Sequence, residues 1–168
     1  MKKIIESKFC RFTISVLIPW SSTCMHGKFR TISPINIAGK LVIKQEGKFY
    51  YALNFKNNSG GYELRNEYFK GGSSPKGIKS IENGAKPMEV FEGFFNFLSY
   101  LILNQKQGEN LPNFLILDSA SFFEKNIPRR LEHSRVHLYL DNGKTGQNSS
   151  QQGLNIDREK FQDERQLY

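Results

Sequence analysis

Apolar residues recur along this chain in two rhythms. Between residues 41 and 70 they form short alternating runs. Leu41-Val42-Ile43 and Phe49-Tyr50-Tyr51-Ala52-Leu53 flank the turn Gln45-Glu46-Gly47-Lys48, and Asn57-Asn58-Ser59-Gly60-Gly61 separates Ala52-Leu53-Asn54-Phe55 from Tyr62-Glu63-Leu64-Arg65. Runs of this length broken by glycine-bearing turns predict antiparallel hairpins, because glycine accepts the positive φ that tight turns demand. The stretch Lys70-Gly71-Gly72-Ser73-Ser74-Pro75-Lys76-Gly77 then reads as a flexible basic connector. From Pro87 onward the rhythm lengthens. Residues 88–91 are a short apolar run, and residues 94–103 are apolar on nearly every side, as in a helix buried against a sheet. Residues 114–117 predict the next strand, 122–125 the start of a short helix closed by Pro128, and 136–140 a third strand running into the turn Asp141-Asn142-Gly143. Strands alternating with helices imply right-handed crossovers and a parallel sheet, so the fold class is α/β with a small antiparallel β-rich segment before it.

The first 36 residues follow neither rhythm. Lys2, Lys3, Lys8 and Arg11 precede the run Phe-Thr-Ile-Ser-Val-Leu-Ile-Pro-Trp, which imitates a signal peptide, yet Pro19 and Trp20 end the apolar region and no small-x-small cleavage site follows. The expectation is an irregular N-terminal extension with one strand over 12–18. The chain therefore divides into that extension (1–36), a basic β-rich segment (37–86) and an α/β domain (87–168).

Composition narrows the function classes. Of 168 residues 38% are hydrophobic and 24% charged, which excludes disordered and collagen-like chains. No run approaches the roughly 18 apolar residues of a membrane-spanning helix, so no membrane partner is expected. Two cysteines cannot build a disulfide framework, and Cys10, Cys24 and His26 fall short of the four ligands of a structural zinc site. No zinc is expected, and a reducing, cytoplasmic setting fits.

The net charge of +8 is uneven. Residues 1–86 carry 15 Lys plus Arg against 5 Asp plus Glu, a balance of +10, whereas residues 87–168 carry 9 against 11, a balance of −2. In the basic half aromatic residues stand between the cations, as in Lys48-Phe49-Tyr50-Tyr51 and Arg65-Asn66-Glu67-Tyr68-Phe69-Lys70. Cations gain from counterion release and rings stack on bases, so Lys48, Arg65, Lys70 and Lys76 are candidates for holding single-stranded DNA or RNA. The plainer alternative is a lysine-rich solvated face.

Three acidic residues stand where the three predicted parallel strands end: Glu92, Asp118 and Asp141. In open α/β sheets ligands bind outside the carboxyl ends of the strands, and carboxylates gathered there suit Mg²⁺ or Mn²⁺ better than zinc. Acidic residues at such positions also cap the following helix, and for Asp118, followed by Ser119 and a helix, that reading is preferred. Glu92 lies among aromatic residues, where an unpartnered carboxylate is costly, so it requires a partner or a metal. Gly143-Lys144-Thr145 is no phosphate-binding loop, since Leu138 occupies the position of the motif's first glycine. His133 and His137 have no Ser or Cys nucleophile in an elbow motif to serve, and read as surface and core positions.

The segments Met-Glu-Val-Phe-Glu-Gly-Phe-Phe-Asn-Phe-Leu-Ser-Tyr-Leu (88–101), Asn-Phe-Leu-Ile-Leu-Asp-Ser-Ala-Ser-Phe-Phe-Glu-Lys (113–125) and Arg-Val-His-Leu-Tyr-Leu-Asp-Asn-Gly-Lys-Thr-Gly-Gln (135–147) resemble the glutamate, middle and aspartate strands of the Toprim domain, the metal-binding fold of bacterial primases, topoisomerases and certain nucleases. The segment 51–71 resembles what precedes Toprim in primase-like proteins of mobile elements from Bacteroides-type bacteria, where a cysteine-rich zinc finger normally comes first. The resemblance implies Mg²⁺-dependent nucleotidyl transfer on a nucleic-acid template, with nucleoside triphosphates as substrates. It makes Glu92 the family's acid/base or metal-linked glutamate and Asp141 the metal-binding first aspartate of its Asp-x-Asp pair. The second aspartate falls on Gly143, Asn96 stands where relatives often have Asp, the zinc finger is missing, and the chain stops at Tyr168, before the family's last strand and Lys-Asp-rich segment. These departures imply weak metal binding. They leave open a degenerate copy that only binds nucleic acid, and a Toprim nuclease. A topoisomerase is least compatible with this length.

Overall fold

The structure is a computed structural model and describes residues 3–6, 39–45, 48–68, 70–104 and 111–167, with side chains from residue 52 onward except 128, 129 and 167. The strand expected over 12–18, and Cys10, Cys24 and His26, lie outside these residues. Strands β1 (Lys3–Glu6), β2 (Gly39–Gln45), β3 (Lys48–Lys56), β4 (Tyr62–Arg65) and β5 (Lys70–Gly72) follow one another in that order across a five-stranded sheet. The pairs β1–β2 and β2–β3 are antiparallel, and Gln45 faces Lys48 across the first predicted turn. In the second turn Gly60 takes φ 91°, which a side chain would resist.

Two local readings change here. Lys3–Glu6, within the segment read as irregular, is a strand, and Lys70–Gly72, read as part of a loose connector, is another. The rest of that connector is tied down by hydrogen bonds. Ser73 Oγ accepts from the Tyr62 amide at 3.0 Å, the Asn57 side-chain amide donates to the Pro75 carbonyl at 2.9 Å, and the Asn58 amide donates to Ile78 at 2.8 Å. Gly61 lies so close to this segment that a Cβ would fall 2.0 Å from the Pro75 carbonyl oxygen.

The second sheet has the order β10-β9-β7-β8-β6, formed by β6 (Lys79–Ile81), β7 (Pro87–Phe91), β8 (Asn113–Ile116), β9 (Arg135–Tyr139) and β10 (Phe161–Asp163). The pairs β10–β9, β9–β7 and β7–β8 are parallel, and the edge strand β6 is antiparallel to β8. The expected parallel α/β sheet is therefore present, with a further parallel strand after Asp141 where none was expected. Helix α1 (Phe94–Leu103) follows β7, α2 (Ile127–Leu131) precedes β9, and α3 (Lys144–Ile156) joins β9 to β10.

Strand alternation sorts the core into two faces. Met88, Val90, Leu115, Val136 and Leu138, with Leu117, Leu140, Phe123 and Phe161, form one buried cluster, against which Ile127 of α2 and Leu154 of α3 pack. On the other face Phe91, Phe114 and Tyr139 meet Phe97 and Tyr100 of α1, with ring centroids 5.0–6.3 Å apart. Contacts between aromatic rings at such separations add to the burial itself. Pro128 opens α2 rather than closing a helix, because proline's missing N–H is no loss in a first turn. The segment before it forms two short 3₁₀ turns, 120–122 and 124–126.

Chain contacts divide the protein into two compact units, residues 1–55 with 64–70 and residues 56–63 with 71–168. Among the described residues no helix is long and apolar enough to cross a membrane.

Candidate functional site

Glu92 is the first residue after β7, and Asp141 stands two residues after β9, its neighbour in the sheet. Parallel strands in register bring their carboxyl ends level, since Phe91 pairs with Tyr139, and the two acids meet there. Glu92 Oε2 accepts the Asp141 backbone N–H at 3.0 Å. This supplies the partner that a carboxylate beside an aromatic cluster requires. Asn96, in the first turn of α1, donates from Nδ2 to Asp141 Oδ1 at 2.7 Å. Helix α1 thus reaches across to the neighbouring strand end and fixes the Asp141 carboxylate, while the residue as a whole remains exposed.

The turn holding Asp141 is also set from the α3 side. Gly143 is the N-cap of α3, with φ −67° and ψ 163° and open space where a Cβ would stand. Gly146, one turn into α3, lies against the Asp141 backbone, and a Cβ there would fall 2.1 Å from the Asp141 carbonyl oxygen. Glycine is what lets the helix start this close to the strand end. Gln147 Nε2 donates to the Asn142 carbonyl at 3.0 Å, closing the turn.

Asp118 lies on the same edge of the sheet, past the end of β8, but its role differs from the one expected. The cap of the following 3₁₀ turn is Ser119, whose Oγ accepts the Ser121 amide at 3.3 Å. Asp118 itself has φ 57°, and both of its carboxylate oxygens are shielded from solvent. That left-handed conformation is one that Asp tolerates better than most residues.

Beneath the aromatic face sits a buried polar group that the sequence reading passed over. Glu89 of β7 is 7% exposed, lies opposite His137 of β9, and bonds the Tyr139 hydroxyl. Burial pushes its carboxyl above the usual range, against the pull of His137 and the Tyr139 bond, with Glu164 adding to the rise. Burial and the Glu89 charge push the Tyr139 phenol up. His137 Nδ1 is 3.1 Å from Glu164 Oε1. A lone acidic residue between Met88 and Val90 was the available signal, since alternation places it on the sheet face that α1 covers.

The expected nucleic-acid cations are spread over both units. Lys48 begins β3, Arg65 ends β4 and Lys70 begins β5, on three successive strands of the first sheet. Lys76 belongs to the other unit and donates to Glu63 Oε1 at 2.7 Å, so its charge is already matched.

Among the described residues no group of three or more His, Cys, Asp or Glu side chains gathers to hold a metal. The pair Glu92 and Asp141 offers hard oxygen donors at one exposed edge, which suits a Mg²⁺ ion that keeps most of its waters.

Residues 40–74 match a family model described as a domain of unknown function (DUF8464). No curated protein matches. The chain is similar to the primase fragment of the bacteriophage T7 primase-helicase, with 17% sequence identity, a TM-score of 0.52, and 74% of this chain aligned to 56% of that one. It spans little more than half of that fragment, and the likeness establishes a shared fold. A second solved structure, of T7 lagging-strand DNA polymerase interacting with primase domains bound to an RNA/DNA hybrid and dTTP, aligns over 74% of this chain and 69% of that one, at 16% identity and a TM-score of 0.49.

Proposed function

We propose that this chain is a primase-type nucleotidyl-transfer module of the Toprim kind, acting in the cytoplasm on a single-stranded DNA or RNA template. One observation carries the reading: Glu92 and Asp141 close adjacent parallel strands and are linked at 3.0 Å, at the sheet edge where α/β folds place their chemistry. The likeness in fold to a phage primase fragment supports it. In the reaction proposed, the 3′ hydroxyl of a growing strand attacks the α-phosphorus of a nucleoside triphosphate. A new phosphorus–oxygen bond forms, the bond to the β-phosphate breaks, and pyrophosphate leaves. In this reading Glu92 would accept the hydroxyl proton. Asp141, held by Asn96, would hold Mg²⁺ or Mn²⁺ with Glu92, and that ion when bound supplies neutralising charge on the triphosphate. Lys48, Arg65 and Lys70 would hold template phosphates. The resemblance of segment 51–71 favours a primase-like protein of a mobile element as the source.

A second reading, a nucleic-acid-binding relative without catalysis, draws on Gly143 and Asn96 standing where the family's further acids would be. Template-dependent incorporation of ribonucleotides on single-stranded DNA in Mg²⁺ or Mn²⁺ decides between them. The expected result is slow incorporation, reduced at least about 100-fold by Asp141→Ala or Glu92→Gln. Template binding that falls steeply with salt, with no incorporation under any condition, establishes the second reading, and cleavage of the template instead establishes a nuclease.

A further inference from the structure

We infer that Phe95 is a stacking platform for a nucleobase held beside the carboxylate pair. The inference rests on the reading of this edge as a nucleotide-handling site and deepens it. A lone exposed phenylalanine is ordinary on a protein surface, and three observations separate Phe95 from that case. The first is position. Phe95 lies in the first turn of α1, next in sequence to Asn96, whose amide holds the Asp141 carboxylate at 2.7 Å, and three residues after Glu92. Phe95 therefore stands at the end of α1 that meets the carboxylate pair. The second is presentation. Phe95 is 41% exposed, while Phe94 behind it is 4% exposed, and their ring centroids are 4.6 Å apart with planes at 37°. A ring backed by a buried ring is already oriented, so little rotamer freedom is lost when a base covers it. The third is chemistry. The edge offers carboxylates and, with a divalent ion, a place for phosphates, but among the groups bonded there Asn96, Glu92 and Asp141 are all polar and none can cover a purine or pyrimidine face. An aromatic face beside them supplies that contact, and it accepts any base because every base has a π face.

The base could belong to the template strand or to the incoming nucleotide, and the shared chemistry is stacking. The test measures equilibrium binding of the full chain and of Phe95→Ala, Phe95→Tyr and Leu103→Ala to three probes: a single-stranded oligonucleotide, the same strand with abasic sites, and a nucleoside triphosphate with Mg²⁺. Leu103 is the control, exposed at the far end of the same helix. Phe95→Ala is expected to weaken one of the two base-bearing probes about tenfold, with abasic-strand affinity and salt slope unchanged, and Phe95→Tyr to restore it. Loss confined to the oligonucleotide assigns the base to the template, and loss confined to the triphosphate assigns it to the incoming nucleotide. Unchanged affinity of Phe95→Ala for both, at an unchanged melting temperature, overturns the inference while leaving the proposed function standing. Equal loss on the abasic strand also overturns it. Failure of the wild-type chain to bind any probe overturns the functional reading itself.

Discussion

Gly143→Asp tests the site most directly, because its effect on stability should change with the cation present. Gly143 is the N-cap of α3, its φ of −67° lies in a region open to any residue, and a Cβ would meet nothing within 4 Å. Aspartate can therefore enter without strain. Neither a side-chain cap nor an acidic residue occupies the first turn of α3 at present. Replacing glycine by aspartate at an N-cap contributes a few tenths of a kcal/mol, and a negative charge at a helix N-terminus about 0.3–1 kcal/mol more. Against this stands Asp141, two residues away. Two like charges about 7 Å apart repel by roughly 0.6 kcal/mol in water and about 2 kcal/mol at the effective dielectric of a protein surface. Without a divalent ion the terms nearly cancel, so stability should change by less than about 1 kcal/mol. If Asp141 holds Mg²⁺ as proposed, the second carboxylate adds a ligand, and each tenfold gain in affinity adds about 1.4 kcal/mol at saturation. Urea denaturation of wild type, Gly143→Asp, Gly143→Asn and the double variant Gly143→Asp with Asp141→Ala, in MgCl₂ and in NaCl of equal ionic strength, separates these contributions. Asparagine caps as aspartate does without the charge, so a Mg²⁺ increment seen in the aspartate variant alone, and lost with Asp141, supports the metal site. An increment equal in wild type and variant, or one that survives loss of Asp141, refutes it.

Other consequences follow from single contacts. Gly146→Ala should cost about 2 kcal/mol net, because overpacking against the Asp141 backbone exceeds the roughly 1 kcal/mol that alanine adds to a helix; Gly143→Ala should stay within about 0.5 kcal/mol, and equal denaturation midpoints for the two would contradict the close approach. Burial raises the Glu89 carboxyl pKa in the folded chain, where it faces His137, Tyr139 and Glu164, so its contribution is complete below the unfolded carboxyl pKa of about 4.3 and is lost as pH rises through its higher folded value. Glu89→Gln, which keeps the Tyr139 contact, should accordingly be more stable than wild type at neutral pH and lack that slope; matching pH–stability curves would count against it. Arg130 is fully buried, with its guanidinium 3.8 Å over the Phe123 ring and Nη2 bonded to the Phe123 carbonyl. Its Nε and Nη1 have no hydrogen-bond partner among the described residues, and burial pulls its pKa down to about 10. Arg130→Met should therefore leave stability unchanged or raise it by about 1–2 kcal/mol, and a loss above about 2 kcal/mol in thermal unfolding would show that the charge is needed.

What the sequence discloses and what it hides differ for physical reasons. Strands β7, β8 and β9 and helix α1 bury large apolar side chains, so their runs announce them, and the acids at their ends announce the edge. Helix α3 escapes because its buried face is Gly146, Ser149, Ser150 and Gly153. Small residues spaced three and four apart let the helix lie close to the sheet, and a Cβ on Gly153 would stand 3.1 Å from the Phe161 ring and 3.2 Å from Leu138. Hydropathy does not register a contact made by absence of side chain; the 146, 149, 150, 153 spacing does. Strands β5 and β10 have three residues each and are held by ladders rather than by propensity. In the site, Glu92 and Asp141 were readable because strand ends in a parallel sheet are level. Asn96 was readable only as a departure, and its effect needed the fold. An aspartate at that position, within hydrogen-bond distance of Asp141, would repel it unless a cation stood between them, whereas the amide donates to it. That hydrogen bond fixes the Asp141 carboxylate without requiring a cation, and the bond from the Asp141 N–H to Glu92 ties the second carboxylate to the same turn.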